Sequence, residues 1–245
     1  MALARRDDPN ALHPWLALRS LITVIRDTEN TQAGTVMVHS LSGRSRERLR
    51  ARIAADPMGA QILSEGRRLE DTLTDRDALA ALPLGSLGQS YEAWTRAEGI
   101  SAQGLLDATD LGARANLDER ALLLEARGTV SHDLWHVVTG YGRDLLGEAA
   151  LLHIILIQTG NTGLILPCWL GMLAPMLGRK GRRLIWDARK RARRGAWLPA
   201  ADWEALLGEP LPTVRERLGF GPPPRYTPVY QDPVAREGKA RLKPA

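Results

Sequence analysis

The chain has 245 residues, a formal net charge of +5 and 44% hydrophobic residues, which is enough apolar material for one domain with tails. Its single cysteine, Cys168, excludes a disulfide framework within the chain and fits a reducing compartment. Residues 1–10 mix arginine with aspartate before any apolar run, so they resemble neither a secretory signal nor an acid-poor transit peptide. We therefore expect a bacterial cytoplasmic protein.

Helical periodicity dominates the sequence and alternating strand patterns are scarce, so we predict an all-α, single-domain helical bundle. The predicted helices cover, in chain order, residues 15–25, 45–55, 60–64, a segment after the turn at 83–88, 118–125, a helix through 132–136, another from about residue 143, 203–207 and 214–218. The chain divides into an N-terminal extension at 1–14, the helical domain at 15–220, and a tail at 221–245. This tail is rich in proline and charge and is expected to be extended or disordered.

Residues 149–178 form the most apolar part of the sequence. A membrane-spanning helix needs about 20 consecutive apolar residues, whereas His153, the polar run at 158–163, Pro167 and Pro175 interrupt this region. We therefore predict that neither half spans a bilayer. Two alternatives stay open, namely ordinary buried core helices and helices that line an apolar, lipid-sized groove within the bundle.

Positive charge is concentrated in residues 179–194, which hold nine arginines and lysines and one aspartate. Anionic lipid headgroups, phosphates or an acidic partner are the candidate targets, and a solvated helix face is the alternative. We do not expect a nucleic acid partner. The residues assigned to an anionic membrane surface are Arg179, Lys180, Arg182, Arg183, Arg189 and Lys190.

The segment 131-SHDLWHVVTGYGRDLLGE-148 carries the strongest chemical signal. On a helix, His132, Asp133 and His136 fall within an arc of about 100°, and the two imidazoles lie one turn apart. Imidazole nitrogens and carboxylate oxygens are ligands for divalent first-row metals. We therefore predict a metal site, with Asp133 either binding the ion directly or orienting a ligand or water.

Glu148 can join this site only if the helix is interrupted. Twelve residues of straight helix would separate it from His136 by about 18 Å. Gly140 and Gly142 can supply the positive φ angles of a helix-ending turn. A second helix that begins near Arg143 would then bring Glu148 back to the two histidines.

Other interpretations of the motif are weaker. A zinc protease would place glutamate, rather than Asp133, beside the first histidine. A His-Asp phosphohydrolase would need a further upstream histidine and a downstream aspartate, for which His39 and Asp144 are the candidates. The remaining alternative is a solvated helix end with incidental histidines.

Several segments resemble the coenzyme Q biosynthesis protein 4 family over about residues 17–220. The spacing of His132-Asp133-x-x-His136 and Glu148 matches that family's signature. The segments 56-DPMGAQIL-63 and 83-PLGSLGQSY-91 are similar to it as well. The closing pattern is loosely similar too, and its residues are Trp203, Leu207, Val214, Arg215, Leu218 and Gly219.

The resemblance implies an all-α protein that acts late in ubiquinone synthesis and lies peripherally on a membrane, here the inner face of a bacterial cell membrane. It implies oxidative decarboxylation and hydroxylation at C1 of a polyprenylated 4-hydroxybenzoate-derived ring. The alternative is a non-catalytic, lipid-binding scaffold for the other ubiquinone biosynthesis enzymes. Either role implies a prenylated hydroxybenzoate or quinone lipid as ligand, and we expect a homodimer or higher homo-oligomer.

The family's metal is usually taken to be zinc, with Fe, Mn and Mg left open, and the matching ligands are His132, Asp133, His136 and Glu148. Zinc is redox-silent, so it can only polarise the substrate. The isoprenoid tail would lie in the apolar groove, where Gly160 and Gly163 let it approach the backbone. The residues predicted to line that groove are Leu152, Leu156, Gly160, Gly163, Ile165 and Leu166.

Overall fold

The structure, a computed structural model, describes residues 10–27, 30–109 and 117–230. Within these ranges it contains fourteen α-helices, three short 3-10 turns and no strand, and the residues Ser86 and Pro210 form an isolated β-bridge. The helices α1 to α14 span, in order, Pro14–Arg26, Thr31–Ser42, Ser45–Ala55, Pro57–Glu65, Leu69–Thr74, Arg76–Ala80, Leu87–Glu98, Ala102–Thr109, Glu119–Thr139, Leu145–Thr159, Ile165–Leu173, Gly178–Arg194, Trp203–Leu206 and Leu211–Arg217. The predicted all-α, single-domain fold is confirmed.

Helices α9 and α10 form the centre of the domain. Helix α9 packs against α5, α7, α8 and α14, while α10 packs against α11 and α12. Val130, Leu134 and Val138 of α9 are fully buried, as are Ala150 and Ile154 of α10. Because the second half of α9 is enclosed on most sides, its polar residues lie inside the protein with the apolar ones.

The family-like segment at residues 56–63 shapes the start of a helix. Asp56 caps α4 by accepting hydrogen bonds from the backbone N–H groups of Met58 and Gly59. The helix consequently begins at Pro57, three residues before the predicted start. A Cβ on Gly59 would lie 2.0 Å from the carbonyl oxygen of Ile53, so only glycine permits the contact between α3 and α4. This segment therefore serves the fold and does not belong to the metal motif.

Helix α10 and its neighbours account for the apolar region at 149–178. No helix among the described residues is both long and apolar enough to cross a membrane. Helix α12 packs against α10 through a narrow face of mostly small residues, Gly181, Ile185, Ala188 and Ala192. Most cationic residues of α12 point outward, whereas Arg189 and Arg191 are half-buried.

The six residues predicted to line a lipid groove do not share one environment. The space beside Gly163 is occupied by the backbone of α2, since a Cβ there would lie 2.0 Å from the carbonyl oxygen of Val38. Gly160 ends α10 with φ 65°, and Ile165 points outward. Leu152, Leu156 and Leu166 are partly buried. Gly163 is therefore not open to a lipid tail, because packing between helices already uses its missing side chain.

Helices α1 and α11 leave large apolar side chains outside. Helix α1 buries only Ala17 and Ser20, and α11 buries only Cys168. The exposed large apolar residues of the two helices are Trp15, Leu16, Leu18, Ile22 and Ile25 of α1 and Ile165, Trp169, Leu170 and Leu173 of α11. The three-and-four spacing that predicted α1 thus describes an outward face and not a core face.

Residues 221–230, which we call the C-terminal strap, contain no helix but pack on the domain. Phe220 is buried just before the strap, and Tyr226 and Val229 pack against the central core. A boundary placed at residue 220 would cut through these contacts. The N-terminal extension up to residue 9 and the tail from residue 231 lie outside the described residues.

Candidate metal centre

The predicted break between His136 and Glu148 is confirmed. Helix α9 ends at Thr139, and Gly140 follows with φ 76°, donating its N–H to the carbonyl of His136. A four-residue turn leads to Asp144, which caps α10 by accepting from the N–H groups of Leu146 and Gly147. Gly142, which was also expected to take a positive φ, does not have one, and the left-handed Gly140 alone ends α9.

The turn brings the four predicted ligands together. The ligand atoms of His132, Asp133 and His136 all lie within 4.8 Å of one another. Nδ1 of His132 is 3.2 Å from Oδ1 of Asp133, and Nε2 of His136 is 3.3 Å from Oε1 of Glu148. This grouping includes neither His39 nor Asp144, the residues that a phosphohydrolase would have needed.

The hydrogen bonds of His136 fix which of its nitrogens can bind a cation. Its Nδ1 lies 2.8 Å from the backbone carbonyl of Tyr141, and a carbonyl can only accept, so Nδ1 carries a proton. In the neutral imidazole, Nε2 then presents a lone pair. Nε2 is buried and makes no hydrogen bond; it faces the Glu148 carboxylate, another electron-pair donor. A divalent cation or a proton between the two would satisfy both, so the donor set fits a metal.

In the metal-free protein, the pKa of Glu148 is lowered and the pKa of His136 is raised. Burial alone would raise the pKa of Glu148, but the attraction of His136, whose Nε2 lies 3.3 Å from its carboxylate, and a smaller attraction of His132 lower it to about 2. Burial alone would lower the pKa of His136, but Glu148, the Tyr141 carbonyl and Asp133 raise it. The pocket is therefore strongly negative once His136 is neutral, which favours a cation.

The site is open on one side only. The side chains of His136 and Asp133 are 0% and 4% exposed, whereas those of His132 and Glu148 are 30% and 33% exposed. His132 and Glu148 therefore form the rim, and an external ligand would approach an ion between them.

Helix α7 supplies two aromatic neighbours that the sequence did not identify as part of the site. The ring of Trp94 stacks on His136 with centroids 5.3 Å apart. Tyr91, one turn earlier, is 1% exposed and its hydroxyl has no hydrogen-bond partner. The only sequence signal was the family-like segment at 83–91, whose Ser86 caps α7. The half-buried Trp94 therefore contacts the face of the buried imidazole.

The C-terminal strap locks the turn between α9 and α10. The hydroxyl of Tyr226 donates to Oδ2 of Asp144 at 2.7 Å and accepts from the N–H of Gly142 at 2.8 Å. The N–H of Val229 donates to Oδ1 of Asp144, and its carbonyl accepts from Leu145. These bonds fix the position of the first turn of α10, and with it Glu148.

Two arginines bind the free carbonyls at the end of α9. Arg215 of the closing motif donates to the carbonyls of Val137 and Val138, and Arg191 of α12 donates to that of Thr139. The last carbonyls of a helix have no partner within it. The closing Val-Arg pattern therefore holds the helix end that carries His136.

The remaining singled-out side chains have structural roles. His153 is buried and donates from Nδ1 to the carbonyl of Ala149, and burial lowers its pKa. Burial also raises the pKa of the Cys168 thiol to about 12. Tyr141 is 1% exposed and packs beneath Arg191, so it fills the turn and does not face the rim.

The chain is similar in sequence to curated proteins of other organisms. The chain is 32% identical over 181 residues to the mitochondrial ubiquinone biosynthesis protein COQ4 homolog of Rattus norvegicus, covering 73% of this chain and 66% of that protein. It is 28% identical over 201 residues to mitochondrial COQ4 of Clavispora lusitaniae, covering 79% and 60%. The chain thus spans slightly less than two thirds of the length of these relatives.

The fold is also similar to that of a protein of known crystal structure from Nostoc punctiforme PCC 73102. The TM-score is 0.61 with 21% identity, and the match covers 86% of this chain and 100% of that one. At this identity the likeness concerns the fold alone. Residues 12–224, which include both helices of the His132–Glu148 segment and the beginning of the strap, match the profile of the family described as coenzyme Q (ubiquinone) biosynthesis protein Coq4, and the chain belongs to that family.

Proposed function

We propose that this protein acts in ubiquinone synthesis by binding a divalent metal and replacing the C1 carboxyl group of a polyprenylated, 4-hydroxybenzoate-derived ring with a hydroxyl group. The observation that carries the proposal is the convergence of His132, Asp133, His136 and Glu148 at one partly open pocket. The relatives from Rattus norvegicus and Clavispora lusitaniae are named as ubiquinone biosynthesis proteins. The other enzymes of that synthesis are the expected partners.

His132, His136 and Glu148 would hold the ion, and Asp133 would either bind it or orient His132, to which it lies 3.2 Å away. Zinc suits this mixed nitrogen and oxygen set, as do Fe and Mn, and Mg is less favoured by imidazole. When bound, the metal supplies a Lewis acid that binds the ring carboxylate or phenolate.

The chain's own residues would orient the substrate. The rim formed by His132 and Glu148 admits an anionic ring, and the buried imidazole of His136 is held by Trp94 and the Tyr141 carbonyl. The isoprenoid tail would extend away from the rim into lipid or along apolar helix surfaces. Burial of such a tail is favourable by about 0.8 kcal/mol per CH₂ group.

Replacement of the carboxyl by a hydroxyl releases carbon dioxide and removes two electrons from the ring. Because zinc cannot accept them, the reaction requires a separate two-electron acceptor, for which dioxygen is the chemical class to test. The substrate is a membrane lipid, so we also propose that the cationic face of α12 holds the protein on an anionic membrane surface. Five of the six residues assigned to that surface are exposed.

The test uses purified full-length protein and a prenylated 4-hydroxybenzoate-derived substrate in detergent, under air. Metal content is measured by mass spectrometry and the C1-hydroxylated product by chromatography. The double variant His132→Ala/His136→Ala should lose both metal and product, while His13→Ala, at an exposed position, should retain both. Product formation by the metal-stripped double variant would rule out the proposed chemistry.

A second candidate is a scaffold that binds prenyl lipid and has no chemistry of its own. Its specific support is that the His136–Glu148 ion pair and the bonds from the strap already join α9 to α10 as a structural unit. In that case the pocket would only stabilise the helix pair. Stoichiometric metal and lipid binding without turnover, followed by activity when the other enzymes are added, would favour the scaffold.

A further inference from the structure

The outer face of α11 is an apolar stripe without any charge. Ile165, Trp169 and Leu173 follow four-residue spacing and therefore lie within an arc of about 80°. Trp169 and Leu173 are 64% and 66% exposed. Exposed apolar patches of this kind mark interaction surfaces. Helix α11 contains no acidic or basic residue.

Helix α12, which follows α11 in the chain, has a cationic outer face. It begins at Gly178, only a short 3-10 turn after α11 ends. Trp186 is 50% exposed in the middle of the cationic face, and Arg189 lies 5.7 Å from its ring centroid. The single acid, Asp187, is neutralised by Lys190 at 3.4 Å. We call the outward stripe of α11 and the cationic face of α12 together the outer α11–α12 surface.

The inward faces of α11 and α12, opposite this surface, contact the first turns of α10, which carry Glu148. A Cβ on Gly171 of α11 would lie 3.6 Å from Ala149, and a Cβ on Gly181 of α12 would lie 3.3 Å from Leu146. Leu146 and Ala149 flank Glu148 in the first turns of α10. Both helices are therefore anchored where the rim residue Glu148 is held.

The outward apolar residues of α1 begin at the same corner of the molecule as those of α11. The N–H of His13 donates to the carbonyl of Ser40, and the hydroxyl of Thr162 donates to the carbonyls of Leu41 and Ser42. The end of α2 thus holds the start of α1 and the turn that leads into α11. Helix α1 carries Arg19 and Arg26 and no acid, so it has the same combination of apolar and cationic residues.

We propose that the outer α11–α12 surface inserts into an anionic lipid bilayer, with Trp169 and Leu173 below the headgroups and the cationic residues of α12 among them. The inference rests on the proposed function and adds to it an apolar insertion that charge alone would not provide. Tryptophan and basic residues at the border of an apolar stripe are typical of helices that lie in the membrane interface. The insertion brings the rim of the metal centre close to the lipid in which the substrate dissolves.

Charge argues against a second copy of this chain as the occupant. In a twofold-symmetric dimer the same patch lies on both sides of the interface. The cationic face of α12 would then oppose itself, and the described residues of α11 and α12 offer only Asp187 as an acid to compensate. An anionic bilayer satisfies both the stripe and the cations.

The test is vesicle flotation of the full-length protein with phosphatidylcholine vesicles, with and without phosphatidylglycerol. The wild type should float with the anionic vesicles and retain part of its binding at high salt, because apolar insertion is not screened. Trp169→Ser/Leu173→Ser should weaken binding at least about tenfold, which corresponds to about 1.4 kcal/mol. Leu84→Ser is the matched control, since Leu84 is 93% exposed in a turn far along the chain from this surface, and it should bind like the wild type.

Fluorescence quenching by brominated acyl chains gives a second readout, which Trp169→Phe should reduce while leaving flotation intact. Circular dichroism and bound metal check that each variant is folded. Loss of all binding at high salt, or equal binding by the Trp169→Ser/Leu173→Ser variant, would overturn the insertion. Conversion of a wild-type dimer to monomer by the double variant, with no change in flotation, would instead assign the surface to a second copy. Turnover in detergent tests the proposed function separately, because it needs no bilayer.

Discussion

Replacing Tyr226 with phenylalanine should separate the role of the C-terminal strap from that of the metal ligands. The change removes one hydroxyl that donates to Asp144 and accepts from the N–H of Gly142. A hydrogen bond to a charged group contributes about 1.5–3 kcal/mol, and an unsatisfied buried N–H costs about 1–3 kcal/mol. Asp144 keeps its other three backbone donors. We therefore expect a loss of about 2–4 kcal/mol.

For a domain of this size, such a loss lowers the melting temperature by about 4–16 °C. The assay is thermal unfolding followed by circular dichroism, with metal affinity measured in parallel by titration. Metal affinity should fall as well, because the turn that positions Glu148 is loosened while all four ligands remain. Stability loss without any change in metal affinity would show that the strap does not position the site.

Tyr91→Phe provides the matched control. Tyr91 is buried like the core residues around it, but its hydroxyl makes no hydrogen bond. Removal of that hydroxyl should change stability by less than about 1 kcal/mol. If Tyr91→Phe were as destabilising as Tyr226→Phe, the hydrogen-bond reasoning would be refuted, since both variants lose the same atom.

Three further predictions follow from the same geometry. Gly147→Ala should lower the free energy of unfolding by more than about 3 kcal/mol in chemical denaturation, because its Cβ would lie 2.1 Å from the carbonyl of Gly142. Gly128→Ala is the control: its Cβ would meet nothing within 4 Å, so the change should stabilise α9 by about 0.5–1 kcal/mol. Arg215→Ala should cost about 2–3 kcal/mol, because the last carbonyls of α9 lose their partner; a loss below about 0.5 kcal/mol would contradict that role. In metal-free protein, the pKa of Glu148 lies at about 2, below its ordinary value of 4.5. Ionised Glu148 should therefore stabilise the folded protein above about pH 4.5, and this stabilisation should be lost as the pH falls towards 2. The Glu148→Gln variant should not show this dependence of stability on pH.

The grouping of the candidate ligands was largely predictable, because three of the four lie close together in the sequence. His132, Asp133 and His136 lie on one helical turn, and Gly140 marks the helix end regardless of what surrounds it. The helix break allows Glu148 to return to these residues, and the resemblance to the family singled it out as a ligand. Trp94 was not predictable, because its contact with His136 joins residues that are 42 positions apart and depends on how α7 packs on α9.

The sequence was less informative where one pattern serves two environments. The apolar spacing from Trp15 to Ile25 is the same for a core face and for an outward face, and only the contact of Ala17 and Ser20 with α2 decides between them. Helix α2 itself was missed, since β-branched residues and a glycine give it little intrinsic helix preference. For the strap, the proline-rich composition predicts an extended or disordered tail. Composition does not show that the hydroxyl of Tyr226 reaches Asp144.

The strap also sets the order in which the protein can mature during synthesis. The ribosome synthesises the chain from its N-terminus. Helices α9 and α10 therefore emerge before Pro223 can contact Gly140 and before Tyr226 can bind Asp144. The nascent hairpin therefore meets cellular ions while its turn is still unsecured. A chain that ends shortly after Phe220 would contain all four candidate metal ligands but would lack the strap residues that hold the turn between α9 and α10.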